Sequence, residues 1–216
     1  MEFTVQKLLA KLRPGRRLTI VGSNVPAFSF QGAWDGGCAL HATAMAIAIL
    51  GHLSDPLRVP SRRHGPEAAF WELAWPFYLS GVTLEELEAL ILELDWGLRP
   101  TVFEGSHANV LQFCEQELLA GRPVIVTLQR LRRAALHAVL AVGVEGRQTG
   151  RAFEAHSLLL IDSAETEPVL AVHNARLTWA TERCGKPNGY ARYATAFDER
   201  KAALVGAMSI RSGKPQ

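Results

Sequence analysis

Long apolar runs are missing from this sequence. The longest, residues 42–50, is too short to cross a bilayer. Residues 1–13 lack the continuous apolar stretch of a secretory signal. No membrane span and a cytoplasmic location are therefore expected, with secretion of an effector that needs no cleaved signal as the alternative. Cysteine is scarce: Cys38, Cys114 and Cys184 are three in number, widely scattered and free of Cys-x-x-Cys spacing. That excludes a disulfide framework and argues against structural zinc. No metal and no organic cofactor is expected. An excess of one charge is also absent. Lys and Arg total 23 against 21 Asp and Glu, a net charge of +2 that points to no nucleic-acid partner. The basic clusters at residues 11–17, 62–63 and 130–133 read as solvated surface. No repeat, low-complexity tract or clear linker divides the 216 residues, so a single domain is expected.

What is present is patterned. Residues 1–13 read as a short amphipathic helix docked on the body. From Cys38 an alanine-rich apolar helix runs to Leu50 or His52, stopped by Gly51 and Pro56. Thr83-Leu84-Glu85-Glu86 matches a capping box and opens a helix with Leu84, Leu87, Leu90, Ile91 and Leu94 on its apolar positions. Residues 100–103 predict a short strand, followed by a helix from Ser106 to Leu119 that Gly121 ends. From Pro123 onward strands are predicted over 123–128, 137–144, 157–162, 169–173, 189–195 and 204–210, with 145–150 as a hairpin loop. Helices first and strands second predict an α+β fold. Residues 1–30 form an N-terminal extension, and 31–122 a mainly helical lobe around the Cys38 helix. That lobe packs on an antiparallel sheet built from 123–216.

The chemistry concentrates at Cys38, where a glycine-rich turn (Asp35-Gly36-Gly37) becomes the long helix. A helix N-terminus stabilises negative charge, and the thiolate is the reactive form of cysteine. A free thiol titrates near about 8.5, so a partner is needed to ionise it at neutral pH. His137, opening an apolar strand, is the best partner. Asp162, closing the next strand, is placed to orient its other ring nitrogen. Gln31 and the Cys38 backbone N–H are candidate oxyanion donors. Gly36 and Gly37 leave room for a substrate backbone. Trp34 walls a groove or covers the helix entry. His41, one turn into the helix, lines the groove or packs beside it. Asp35 reads as a turn former or cap. Cys114 reads as packing and Cys184 as a bystander in a turn-rich loop.

This combination resembles the papain-like cysteine peptidase superfamily. It is most similar to the compact bacterial branch of double-glycine leader peptidases. The matching elements are Gln31, the run from Asp35 to Cys38, the strand from His137 to Gly143, and Asp162-Ser163-Ala164. The likeness spans residues 31–164. Here the glycines precede the cysteine, and Ser163 stands where the branch has proline. The resemblance implies a papain-like fold, a peptide or protein substrate, and no cofactor. It also implies Cys38 as nucleophile, His137 as general base, Asp162 as orienter and Gln31 as oxyanion donor. Two other readings share these residues: a transglutaminase-like acyl transferase, and a catalytically silent papain-like binding module.

Overall fold

The computed structural model describes residues 2–33, 35–131, 135–179 and 189–213. Trp34 and Cys184 lie outside them. The chain begins with strand β1 (Glu2–Leu8) and a small hairpin, β2 (Leu12–Arg13) and β3 (Thr19–Ile20). Helix α1 (Cys38–Leu50) follows, ended by Gly51 at φ 94°. Next come α2 (Pro66–Ala74), α3 (Leu84–Glu93), strand β4 (Leu98–Glu104) and α4 (His107–Leu119). Then β5 (Val124–Arg130), β6 (Leu136–Thr149), β7 (Ala152–Ile161), β8 (Ala175–Thr178), β9 (Ala191–Thr195) and β10 (Glu199–Ser212) complete the chain.

The sheet corrects the expected architecture. Strands β6, β5, β10, β9, β8 and β7 pair in that order, and β7 returns to β6, closing a six-stranded antiparallel barrel. The chain is mostly this barrel with a few short helices, not a helical lobe resting on a sheet. Two more strands come from regions read as extension or helical lobe. β1 pairs with residues 143–149 of β6, and β4 with residues 206–212 of β10. Closure depends on β6 and β10, each 14 residues long and each offering one edge to two partners in turn. Both carry a register shift, with Val142 the extra residue in β6 and Val205 in β10, and a third shift at Glu145/Gly146 leaves His156 of β7 as the extra residue. Such bulges bend a strand and sharpen its twist, which lets a sheet curl onto itself.

Period-2 alternation assigns the faces. Val124, Val126, Leu128, Val139 and Ala141 point into a core shared with Leu158, Leu177, Tyr193 and α4. Ile125, Ala138, Leu140 and Val142 point outward and bury α1. Burial on both faces explains why β5 and β6 read as near-continuous apolar runs.

Local expectations fared unevenly. The capping box at Thr83 and Glu86 is present, with Thr83 N–H donating to Glu86 Oε2 at 2.8 Å and Glu86 N–H to Thr83 Oγ1 at 3.2 Å. Residues 2–8 form a strand, not a helix. Gly143 explains how: a Cβ there would lie 2.7 Å from the Lys7 carbonyl oxygen, so only glycine admits β1 alongside β6. The strand expected over 169–173 is irregular, with Leu170 at φ 59°. Residues 145–149 continue β6, and the turn falls at Gly150.

Candidate active site

Asp35 shapes the loop that delivers Cys38. Its carboxylate accepts the Gly37 N–H at 3.0 Å, the Gly32 N–H at 2.7 Å and the Tyr78 hydroxyl at 3.2 Å. This is the turn-forming role expected of it. Gly36 donates to the Tyr78 carbonyl at 2.9 Å, and a Cβ at Gly36 would lie 2.7 Å from the Leu79 carbonyl oxygen. The loop thus lies flat against residues 78–81. Gly37 caps α1, and Cys38 is its first residue, half-buried. The first amides of a helix have no carbonyl partner within it, so the sulfur sits at a donor-rich end.

The barrel brings the other groups to this end. His137 is the second residue of β6, and Asp162 follows the last residue of β7, its neighbour. His137 Nε2 meets Asp162 Oδ2 at 2.9 Å. The other ring nitrogen is left for Cys38, whose sulfur accepts the N–H of the next residue, Ala138, at 3.4 Å. Cys38, His137 and Asp162, 124 positions apart from end to end, are therefore brought to one place.

Charge follows geometry. Burial opposes the Cys38 thiolate, but the hydrogen bond with His137, the Ala138 N–H, the imidazolium charge and the Ala39 N–H together hold the thiol below its ordinary value. Burial also opposes charge on His137, yet the hydrogen bonds to Asp162 and Cys38 and the charges of both raise its pKa to about 9. Burial would raise the Asp162 carboxyl, but His137, the Tyr193 hydroxyl and the Ala164 N–H hold it below the usual range. All three directions favour a thiolate–imidazolium pair backed by a carboxylate.

Two residues of this site were not anticipated. Tyr193, buried on β9, donates its hydroxyl to the same Asp162 Oδ2 that His137 uses. Asn174 clamps the Asp162 backbone: its Oδ1 accepts the Asp162 N–H at 2.7 Å, and its Nδ2 donates to the Asp162 carbonyl at 2.8 Å. Alternation in Ala191-Arg192-Tyr193 was the one available signal for Tyr193; Asn174, in an irregular segment, offered none. A hydrogen bond to a buried carboxylate contributes about 1.5–3 kcal/mol. Tyr193→Phe is therefore expected to lower the unfolding free energy at pH 7 by about that amount in urea titration. An unchanged midpoint would show that this hydroxyl does not support Asp162.

Gln31 bridges the two halves of the site. Its backbone N–H donates to the Ser163 carbonyl at 2.8 Å, its Oε1 accepts the Ser163 hydroxyl at 3.4 Å, and its Nε2 donates to the Asp35 carbonyl at 3.0 Å. One amide hydrogen is thus committed to the loop, leaving the other without a hydrogen-bond partner among the described residues. His41 takes a packing position. Its Nδ1 lies 2.8 Å from the Ser29 hydroxyl, its Nε2 lies 3.7 Å from Asp35, and burial holds its pKa below the ordinary value despite Asp35. It does not line the Cys38 cleft, whereas Gly36 does. Cys114 is fully buried in the barrel core, and burial pushes its thiol far up. Among the described residues, no group of three or more His, Cys, Asp or Glu is arranged to hold a metal ion. Nor is any helix among them long and apolar enough to cross a membrane.

The cleft at Cys38 encloses about 640 Å³. Ala39, Leu136 and Ala138 flank the sulfur, residues 80–86 form one wall, and Val205 and Gly206 of β10 form part of the floor. Val205 sits at the β10 bulge, which turns it into the cleft. No protein-family model matches this chain, and comparison with curated proteins finds no relative.

Proposed function

We propose that this protein is a thiol hydrolase that cleaves a peptide or isopeptide bond. The observation that carries the reading is His137, paired with Asp162 Oδ2 at 2.9 Å and followed by Ala138, whose N–H reaches the Cys38 sulfur at 3.4 Å. A cysteine, an imidazole and a carboxylate in contact order supply a nucleophile, a proton carrier and an orienting group. The open cleft supports a chain-like substrate over a small enclosed one. The likeness to the papain-like leader-peptidase branch belongs to the same proposal and rests on the matching motifs alone. A reducing, cytoplasmic site of action accords with Cys38 and Cys114 as free thiols.

In this mechanism the Cys38 thiolate attacks the substrate carbonyl carbon, and the carbonyl electrons move onto oxygen. The Cys38 backbone N–H and the uncommitted Gln31 amide hydrogen are the donors offered to that oxyanion. The imidazolium of His137 gives its proton to the leaving amine, and an acyl-enzyme remains on sulfur. Neutral His137 then takes a proton from water, whose oxygen attacks the thioester. Collapse returns the acid product and the thiolate–imidazolium pair.

Acid quenching during turnover of a peptide digest, followed by intact-mass and fragment analysis, tests the reading. An acyl group on Cys38 is expected, and it should transfer to water with or without an added primary amine. Exclusive transfer to the amine would assign acyl transfer instead. A Cys38 that never acquires an acyl group while peptides are cleaved would refute the mechanism.

A further inference from the structure

The barrel register lays a line of residues outward from the nucleophile. Ala138, whose N–H contacts the sulfur, pairs with Thr127; Thr127 pairs with Gly206; Gly206 pairs with Glu104. Directly opposed residues share one face of a sheet, so these four form a row across β6, β5, β10 and β4. All four line the Cys38 cleft. The row is floored by small side chains until it reaches a carboxylate. Three strand spacings separate Ala138 from Glu104, about 14 Å. Leu84 fills the place a side chain at Gly206 would take, since a Cβ there would lie 2.7 Å from its Cδ1.

Two features of the row lack partners. Thr127 is only 9% exposed, yet its hydroxyl makes no hydrogen bond among the described residues while it faces the cleft. A hydroxyl on a cleft wall with no protein partner is free to donate to or accept from a ligand. Glu104 is exposed and makes no hydrogen bond or ion pair among the described residues. The other carboxylates on the cleft wall have local roles. Glu86 completes the α3 capping box, and Glu85 lies in the first turn of α3, where negative charge offsets the helix dipole. Among the described residues, no lysine, arginine or histidine lines the cleft.

We propose that this cleft selects peptides with a lysine or arginine about two to four residues from the scissile bond, bound by the Glu104 carboxylate, while the Thr127 hydroxyl hydrogen-bonds the intervening peptide backbone. The range follows from an extended chain advancing about 3.3 Å per residue along the row. An uncompensated carboxylate in a cleft attracts a cationic side chain and repels an acidic one. The assignment builds on the hydrolase reading, and two measurements separate their failures.

The first measurement needs no turnover. With Cys184→Ser in place, Cys38 is modified at low ionic strength by cationic trimethylammonium-ethyl methanethiosulfonate and by its anionic sulfonatoethyl counterpart. The cation-to-anion rate ratio is expected to fall about three- to fivefold in Glu104→Gln, the scale of one exposed charge pair. It should fall further in Glu104→Lys. An unchanged ratio in both variants would overturn the proposal. The second is digestion of a proteome-derived peptide library, with cleavage sites read by mass spectrometry. Lysine and arginine are expected to be enriched within four residues of the cut, and Glu104→Gln should remove that enrichment. Cleavage without it would overturn the proposal and leave the hydrolase standing. Charge-selective modification without any cleavage would support the cation site and overturn the hydrolase reading alone.

Discussion

Replacing Cys38 with alanine is expected to reduce peptide hydrolysis on the order of a millionfold, the scale on which losing a nucleophile acts. The remaining donors can still bind and polarise a carbonyl, but nothing at the end of α1 can form the covalent intermediate. The fold should hardly notice. Cys38 is half-buried at a helix start, and α1 is anchored by residues such as Met45, Ile47 and Ile49 that the substitution leaves in place. Urea unfolding should move by no more than about 1 kcal/mol. Activity loss with a preserved midpoint is the expected result; activity retained by Cys38→Ala would remove the nucleophile from the account.

His137→Ala is expected to be nearly as severe, with a fall in kcat on the order of 10³–10⁴ from lost proton transfer alone. A second loss adds to it. Without the imidazolium, burial acts on Cys38 with less opposition, so the thiol titrates higher and less thiolate is present at pH 7. The pH dependence follows from the same groups. The reactive pair requires Cys38 ionised and His137 protonated. Wild-type activity should rise on the acid side as the thiol, held below its ordinary value, loses its proton. It should fall on the alkaline side as pH passes about 9, where His137 deprotonates. Because His137 gains affinity for a proton on folding, its stabilisation is fully present below its unfolded value of about 6.5 and is lost as pH rises through about 9. The stability deficit of His137→Ala should therefore shrink between those two values. A deficit that grows across that interval would contradict the assignment.

The sequence carried the contact partners better than it carried the architecture. Cys38 at a helix start, His137 at a strand start and Asp162 at the end of the next strand were each visible as a chemical group placed at an element boundary. Pairing of adjacent strands then brought the last two together. The barrel was not visible, because closure depends on where β6 and β10 bend, and a one-residue bulge beside Gly143 or Gly206 looks like any glycine in a strand. β1 was hidden for a related reason. With Phe3 and Leu8 both exposed, its residues show no buried face that would mark a strand. Spacing along α1 left His41 open between lining the groove and packing beside it, because it does not reveal that Ser29 and Asp35 receive its ring. Tyr193 and Asn174 escaped notice because their partner, Asp162, reaches them through the barrel and not along the chain.

The central claim is that folding places Cys38 against a protonated His137. The rate of Cys38 alkylation by iodoacetamide as a function of pH, read at the labelled peptide by mass spectrometry, tests it most directly. The account predicts half-maximal reactivity well below the free-thiol value of about 8.5, displaced upward in His137→Ala. A wild-type profile that rises only through about 8.5 or above, and that coincides with the His137→Ala profile, would contradict it.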